Sequence, residues 1–268
     1  MHIPRKRFGQ NFLTDNQVIQ DIVYAIAPES DAVMVEIGPG LGALTRPLLQ
    51  ALTHLHVVEI DRDIVTRLIQ EFPAERVTVH AQDALTFDFG SLGTAIRVVG
   101  NLPYNISTPL LFHLAQFAEK ITDLHFMLQK EVVERMVAAP STSEYGRLSV
   151  MLQYRFAMES LFIVPASAFH PQPKVESAIV RMIPLPASQQ RVQDESLLAQ
   201  IVSAAFTQRR KTLRNSMSSV LRPEDFVQLS IDPMLRAENL AVADFVKIAN
   251  YLTAQNIATN RTNNECVN

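Results

Sequence analysis

The chain has 268 residues, of which 47% are hydrophobic and 19% are charged, and its formal net charge is −3. These values fit one large globular domain plus a small one, and they exclude a disordered chain. No apolar run approaches the ~20 residues of a membrane span, and the basic residues 5–7 lack the apolar stretch of a signal peptide. The single cysteine, Cys266, excludes an internal disulfide and favours a cytoplasmic location. We expect no metal site, because the seven histidines are scattered.

Strand patterns alternate with helical patterns through the first two-thirds of the chain. The predicted strands cover residues 33–37, 55–59, 77–80, 96–100 and 124–128, and the predicted helices cover residues 44–52, 63–71 and 108–119, with another opening at Lys130. This alternation indicates βαβ units and therefore an α/β fold with a parallel, doubly wound sheet.

A proline-rich segment, residues 165–173, marks a predicted domain junction. Beyond it, helical patterns follow at residues 193–206, 223–229 and 242–253. We therefore expect a catalytic domain over residues 1–184, a helical domain over residues 185–258, and a disordered tail over residues 259–268.

The charge is unevenly distributed along these domains. Residues 29–95 carry ten acidic and four basic side chains, whereas residues 170–222 carry eight basic and three acidic ones. The second segment contains the run Arg209-Arg210-Lys211 and, close behind it, Arg214. A basic edge on an acidic protein can dock on phosphate, so these four residues are predicted nucleic-acid contacts. The alternative is a solvated helix end whose charges complement the helix dipole.

Three of the eight glycines, Gly38, Gly40 and Gly42, follow the first predicted strand within five residues. Such glycines let the backbone turn tightly and approach a ligand closely. The loop also satisfies the dinucleotide fingerprint, so alone it does not separate NAD from S-adenosylmethionine. Glu59, at a predicted solvent-facing strand end, is a candidate acceptor for ribose hydroxyls. Asp83 is either an acceptor for an adenine amino group or a turn residue.

The motif Asn101-Leu102-Pro103-Tyr104 follows the fourth predicted strand. Pro103 forces Leu102 out of helical geometry, which turns its carbonyl into the cleft. That carbonyl and the Asn101 side-chain oxygen can hold the two protons of an exocyclic amine, and Tyr104 can stack on its base. Phe169 is the predicted second aromatic face, and a phenylalanine that only packs the domain junction is the alternative.

With these motifs in this order, the sequence closely resembles the KsgA-type 16S ribosomal RNA adenine dimethyltransferases. The resemblance covers nearly the whole chain and rests on residues 8–13, 36–42, 59–61, 83–84, 101–107, 169–175 and 209–211. It implies a Rossmann-like S-adenosylmethionine-dependent methyltransferase sheet with a small C-terminal helical domain. The cofactor contacts that it implies, with Gly40 added from the loop, are Asn11, Leu13, Gly38, Gly40, Glu59, Asp83 and Asn101. The implied target-base site consists of Asn101, Leu102, Pro103, Tyr104 and Phe169.

The reaction implied by the resemblance is dimethylation of the N6 amines of two adjacent adenosines in the 3′-terminal hairpin loop of 16S ribosomal RNA. The expected partner is that RNA in the 30S subunit or its precursor, and we expect a monomeric enzyme that needs no metal. Two alternatives stay open: a macrolide-resistance 23S methyltransferase with the same chemistry, and a ribosome-assembly factor whose catalysis is secondary. An NAD oxidoreductase is disfavoured, because no residue set for hydride transfer accompanies the glycine loop.

Overall fold

The computed structural model describes residues 11–103, 106–189 and 192–265. Within them the chain divides into two compact units, the first formed by Met1–Glu134 and Phe156–Pro184 and the second by Arg135–Arg155 and Leu185–Asn268. The structure thus differs from the predicted first domain in one segment. Arg135–Arg155 packs with the C-terminal helices, because its buried aromatic and aliphatic side chains join their apolar core.

The first unit is built on a mixed seven-stranded sheet. The strands of the unit are β1 (Phe12–Leu13), β2 (Met34–Ile37), β3 (Leu55–Val58), β4 (Val77–His80), β5 (Ile96–Asn101), β6 (Ile121–Gln129), β7 (Phe156–Val164), β8 (Phe169–His170) and β9 (Ser177–Pro184). The sheet order is β4-β3-β2-β5-β6-β9-β7. The first five strands in this order are parallel to one another, and β9 pairs in antiparallel orientation with both of its neighbours, β6 and β7. The expectation of a purely parallel sheet therefore missed β7 and β9. The short strands β1 and β8 form a separate antiparallel pair.

Helices alternate with the parallel strands along the chain. They are α1 (Asn16–Ile26), α2 (Thr45–Ala51), α3 (Arg62–Glu71), α4 (Ser107–Ala115) and α5 (Lys130–Val137), of which α5 belongs to the second unit from Arg135 onward. Asp15 caps α1 by accepting hydrogen bonds from the amides of Gln17 and Val18, and Asp61 caps α3 in the same way. Buried isoleucines on one face of α1, three to four residues apart, anchor it to the core.

The second unit is helical. Its remaining helices are α6 (Arg147–Gln153), α7 (Glu195–Phe206), α8 (Leu213–Ser216), α9 (Pro223–Leu229) and α10 (Val242–Glu265). The buried face of α7, with Leu198, Ile201 and Val202, packs in one apolar core with Phe226 and Phe245. Residues 259–265, predicted to belong to a disordered tail, continue α10, and residues 266–268 lie outside the described part of the chain.

Among the described helices, none combines the length and the apolar character needed to cross a membrane. The same residues contain no group of three or more histidine, cysteine, aspartate or glutamate side chains that could hold a metal ion.

Candidate active site

A cavity of about 740 Å³ opens at the carboxyl ends of β2, β3 and β5, in the first unit. Ligand sites in open α/β sheets lie at this end of the strands. The cavity brings together most of the residues predicted from the sequence. Its lining includes Asn11, Leu13, Gly38, Gly40, Glu59, Asp83, Asn101, Leu102 and Pro103.

The glycine loop follows β2 and adopts a conformation that other residues rarely tolerate. Gly38 and Gly40 have φ angles of +64° and +53°, in the left-handed region. A Cβ atom on Gly40 would lie 3.2 Å from two atoms of the Phe12 ring, so the absence of a side chain also lets β1 approach the loop. At Gly38 and Gly40 the loop therefore presents backbone, rather than a side chain, to a ligand in the cavity.

Glu59, directly after β3, is held rigidly by the backbone. Its Oε1 accepts hydrogen bonds from the amides of Ile60 and Asp61, both at 2.8 Å. Burial raises the pKa of Glu59, and hydrogen bonds from the amides of Asp61, Ile60 and Gly40 oppose that rise by favouring the charged form. A carboxylate has about four acceptor positions, so after these amides it can still accept from a ribose hydroxyl.

The environment of Glu59 differs from the prediction of a solvent-facing strand end. The residue is only 8% exposed. It is buried because the chain turns into α3 directly behind β3 and folds the carboxylate back onto its own backbone amides.

Asp83 lies in the turn after β4. Its Oδ1 accepts a hydrogen bond from the amide of Leu85 at 2.9 Å, and the residue also lines the cavity. Both interpretations offered by the sequence are therefore compatible, because one carboxylate oxygen stabilises the turn and the other can accept a hydrogen bond from a ligand in the cavity.

Asn101 ends β5 and is oriented by the N-terminal segment. Its Nδ2 donates a hydrogen bond to the backbone carbonyl of Asn11 at 3.2 Å. The pairing of β1 with β8 holds that segment in place, together with a 2.8 Å hydrogen bond from the Thr14 amide to the Ala168 carbonyl. The Asn11 carbonyl is an acceptor, so it must face the Nδ2 atom of Asn101. This orientation leaves the Oδ1 atom of Asn101 as the acceptor for a ligand.

Leu102 continues the ladder between β5 and β6. Its amide donates to the Met127 carbonyl at 3.1 Å, which fixes the peptide plane between Asn101 and Leu102. Asn101 and Leu102 thus lie on a rigid strand end, where a fixed acceptor pair can be maintained.

The two aromatic candidates have different outcomes. Phe169 is 4% exposed and belongs to the core of the first unit, where it is paired in register with Leu13. It is not among the residues that line the described cavity, and its ring packs in the core of the first unit. Its role as a base-stacking face stays a prediction. Tyr104 lies outside the described residues.

Two cavity residues were missed by the sequence analysis. Ile60, half exposed beside Glu59, offers an apolar surface to a ring. Glu36 lies within β2 and is 2% exposed, with Oε2 accepting a hydrogen bond from the Thr45 hydroxyl at 2.6 Å. The signal for Glu36 was present in the sequence, because an acidic residue in an otherwise apolar buried strand needs a reason to be there.

The predicted nucleic-acid contacts lie in the second unit and divide into two groups. Arg209 donates hydrogen bonds to the carbonyls of Ser143 and Tyr145, at 2.6 and 3.2 Å, and lies 3.7 Å from a Glu238 carboxylate oxygen. Its guanidinium therefore connects the segment after α7 to the loop before α6. The side chains of Arg210, Lys211 and Arg214 are exposed, and none forms an ion pair with another described residue.

The sheet order places the polar strand ends in a series that suits an extended nucleotide-like cofactor. Asp83 follows β4, Glu59 follows β3, the glycine loop follows β2 and Asn101 ends β5. The residues predicted to accept from an adenine amino group and from ribose hydroxyls thus precede the predicted acceptor pair at the reacting end. This arrangement on this sheet is that of a Rossmann-like S-adenosylmethionine-dependent methyltransferase.

Comparison with known proteins agrees with the fold. The chain belongs to the ribosomal RNA adenine dimethylase family, whose model matches residues 1–254. Over 250 residues it is 66% identical to the ribosomal RNA small subunit methyltransferase A of Nitrosospira multiformis, covering 93% of this chain and 96% of that protein. It is 64% identical over 255 residues to the protein of the same name from Thiobacillus denitrificans, covering 95% and 100%.

A solved structure of a dimethyladenosine transferase from Plasmodium falciparum is also similar. It has a TM-score of 0.76 and 26% sequence identity, and the match covers 88% of this chain and 95% of that one. The predicted fold class, methyltransferase activity and cofactor are confirmed by these matches.

Proposed function

We propose that the protein dimethylates the N6 amines of two adjacent adenosines in the 3′-terminal hairpin loop of 16S ribosomal RNA. The observation that carries the proposal is the Asn101 amide, oriented by the Asn11 carbonyl at the edge of the cofactor cavity. The name shared by the relatives at 64–66% identity, ribosomal RNA small subunit methyltransferase A, supports the small-subunit RNA over 23S RNA.

The chemistry follows from the weak nucleophilicity of the target. The N6 lone pair of adenine is delocalised into the ring, so it must be released before it can attack. The Asn101 Oδ1 atom and the Leu102 carbonyl accept the two N–H groups, which favours a pyramidal nitrogen with its lone pair directed into the cavity. S-adenosylmethionine, when bound, supplies an electrophilic methyl group. No strong base is needed, because a methylated ammonium loses its proton readily, so positioning and electrostatics lower the barrier.

The proposal is tested with purified particles. Wild-type protein and tritiated S-adenosylmethionine are incubated with unmethylated 30S particles, with 50S particles and with protein-free 16S RNA, and the labelled nucleosides are identified after digestion. We expect N6,N6-dimethyladenosine from the 30S particles, mapped to adjacent positions in the 3′-terminal hairpin. Label confined to 23S RNA in the 50S particles would contradict the proposed substrate.

We further propose that the enzyme acts in the cytoplasm as a monomer and docks on the 30S subunit or its precursor through the second unit. The exposed cations Arg210, Lys211 and Arg214 support this docking surface, whereas Arg209 is engaged within the unit. Cationic side chains that neutralise phosphates release counterions, so their contribution is revealed by salt.

Replacing Arg210, Lys211 and Arg214 together by alanine should weaken binding to 30S particles and flatten its salt dependence. The log–log slope should fall by about 0.7–0.9 for each phosphate contact removed.

Arg209→Ala is the matched control, because it removes one positively charged side chain that donates hydrogen bonds to the carbonyls of Ser143 and Tyr145. It should lower thermal stability and leave the salt slope near that of the wild type. Parallel salt slopes for the triple variant and the wild type would move the docking surface elsewhere, with residues 5–7 as the next candidates.

A further inference from the structure

Glu36 is a buried carboxylate in the wall of the cavity. Apart from the hydrogen bond that Oε2 accepts from Thr45, no other hydrogen bond to a described residue is seen. Removing a carboxylate from water costs several kcal/mol unless hydrogen bonds or an opposite charge compensate. One hydroxyl compensates only in part, which leaves the remaining acceptor capacity of the carboxylate to whatever occupies the cavity.

The charged groups around Glu36 do not neutralise it. On β3 the nearest is Glu59, which carries a like charge, and on α2 it is Arg46, whose guanidinium is bound to Glu71 and to the Gly42 carbonyl. The register partners on the two adjacent strands, Val57 and Val99, are apolar. The cavity-lining residues of α1, which include Asn16 and Gln20, are uncharged.

The pKa of Glu36 reflects these surroundings. Burial raises it from 4.5 to about 7; the Thr45 hydrogen bond opposes the rise, Glu59 adds to it and Arg46 opposes it. The ligand-free protein near neutral pH therefore contains both the protonated and the charged form of this side chain.

The strand order identifies the part of the cofactor that lies nearest to Glu36. In the proposed function, Glu59 on the β3 side accepts from the ribose, and Asn101 at the end of β5 holds the target amine. The strand β2, which carries Glu36, lies between these two. With the cofactor bound in this order, a sulfonium that is bonded to the ribose 5′ carbon and faces the amine would lie near β2.

We propose that Glu36 is the buried counter-charge of the cofactor sulfonium and makes the cavity prefer the charged methyl donor to the uncharged product, S-adenosylhomocysteine. Binding of the donor favours the carboxylate form and releases the Glu36 proton to solvent. The product has no sulfonium charge, so the buried carboxylate does not stabilise it in the same way. The difference favours exchange of product for fresh donor after each transfer.

The test compares donor and product in the intact protein. Calorimetric titrations with S-adenosylmethionine and S-adenosylhomocysteine are performed between pH 6 and 8.5, each in two buffers of different ionisation enthalpy. At a pH below its raised pKa, Glu36 is mostly protonated and lacks the negative charge that attracts the sulfonium. The preference for the donor should therefore increase as the pH rises through about 7. We expect the ratio of the two dissociation constants to change by about tenfold in the wild type. Donor binding should also release more protons than product binding does at pH 7.

Glu36→Gln, which cannot ionise, should show a ratio that is independent of pH over this range. A wild-type ratio that does not change with pH, or an equal change in Glu36→Gln, would overturn the inference. Failure of the wild type to bind either ligand would instead contradict the cofactor site on which the inference rests.

Thr45→Val provides a second variant that keeps Glu36 and removes the hydroxyl that favours its charged form. The midpoint of the pH-dependent ratio should move to higher pH. A role of Glu36 in packing alone would leave the midpoint in place, so an unchanged midpoint would also overturn the inference. This variant decides the question if Glu36→Gln does not fold.

Discussion

Replacing Asn101 by alanine should lower turnover on 30S particles by about two to three orders of magnitude, with little change in the affinity for RNA. The Oδ1 atom of Asn101 matters most as the N6 amine becomes pyramidal, so its removal affects the transition state more than the bound ground state. Single-turnover methyl transfer at saturating S-adenosylmethionine measures this effect, because saturation removes any contribution of Asn101 to cofactor affinity.

Asn11→Ala is the matched control for this prediction. The Asn101 amide donates to the backbone carbonyl of Asn11, which the alanine variant retains. Turnover at saturating cofactor should therefore fall far less than in Asn101→Ala, even if cofactor affinity weakens. Equal losses in the two variants would contradict the acceptor role of Asn101, because Asn11→Ala leaves the Oδ1 atom of Asn101 and its hydrogen bond to the Asn11 carbonyl in place. Turnover near the wild-type value in Asn101→Ala would remove it from the reaction.

The parallel strands β2 to β5 were predictable from the sequence to within about one residue at each end. The side chains of β2, β3 and β5 are mostly buried on both faces, so each of these strands is a short apolar run that is visible without knowledge of its neighbours. The side chains of the edge strand β4 are only partly buried. The strand β6 was recognised as well but is longer than the predicted run 124–128, because its first residues pair with the start of β5.

The elements that the sequence did not reveal depend on distant partners. The strand β7 has an irregular burial pattern and a register shift, and it is a strand because β9 pairs with it. The same applies to Arg135–Arg155, whose neighbours in sequence belong to the first unit and whose buried side chains belong to the core of the second. A local pattern cannot show which of two apolar cores a segment joins.

The candidate site shows the same limit at the level of single residues. The glycine loop and Glu59 were recognisable because their chemistry is encoded in adjacent positions. The hydrogen bond from Asn101 to Asn11, ninety residues apart, exists because β1 pairs with β8. The engagement of Arg209 with Ser143 and Tyr145 likewise arises from folding, and it separates this arginine from the exposed cations beside it.

Gly100 was not singled out by the sequence, and its structure supports the second prediction. It lies in β5 at the centre of the sheet, directly before Asn101. A Cβ atom there would lie 2.6 Å from the Ile37 carbonyl oxygen and 3.1 Å from the Leu102 side chain. The first of these atoms belongs to the backbone of β2, so it cannot move away as the end of a flexible side chain would.

Gly100→Ala should therefore lower the free energy of unfolding by about 3 kcal/mol, because relief of the contact requires β2 and β5 to separate. The carbonyl of Ile37 directly precedes Gly38, so the same displacement should distort the glycine loop and weaken S-adenosylmethionine binding in the fraction that folds. Denaturant unfolding and calorimetry measure the two effects.

Gly146→Ala is the control, because no atom lies within 4 Å of its added Cβ and its backbone is extended. It should change the unfolding free energy by less than about 1 kcal/mol. If Gly100→Ala behaves like this control, the close approach of β5 to β2 does not constrain the glycine loop.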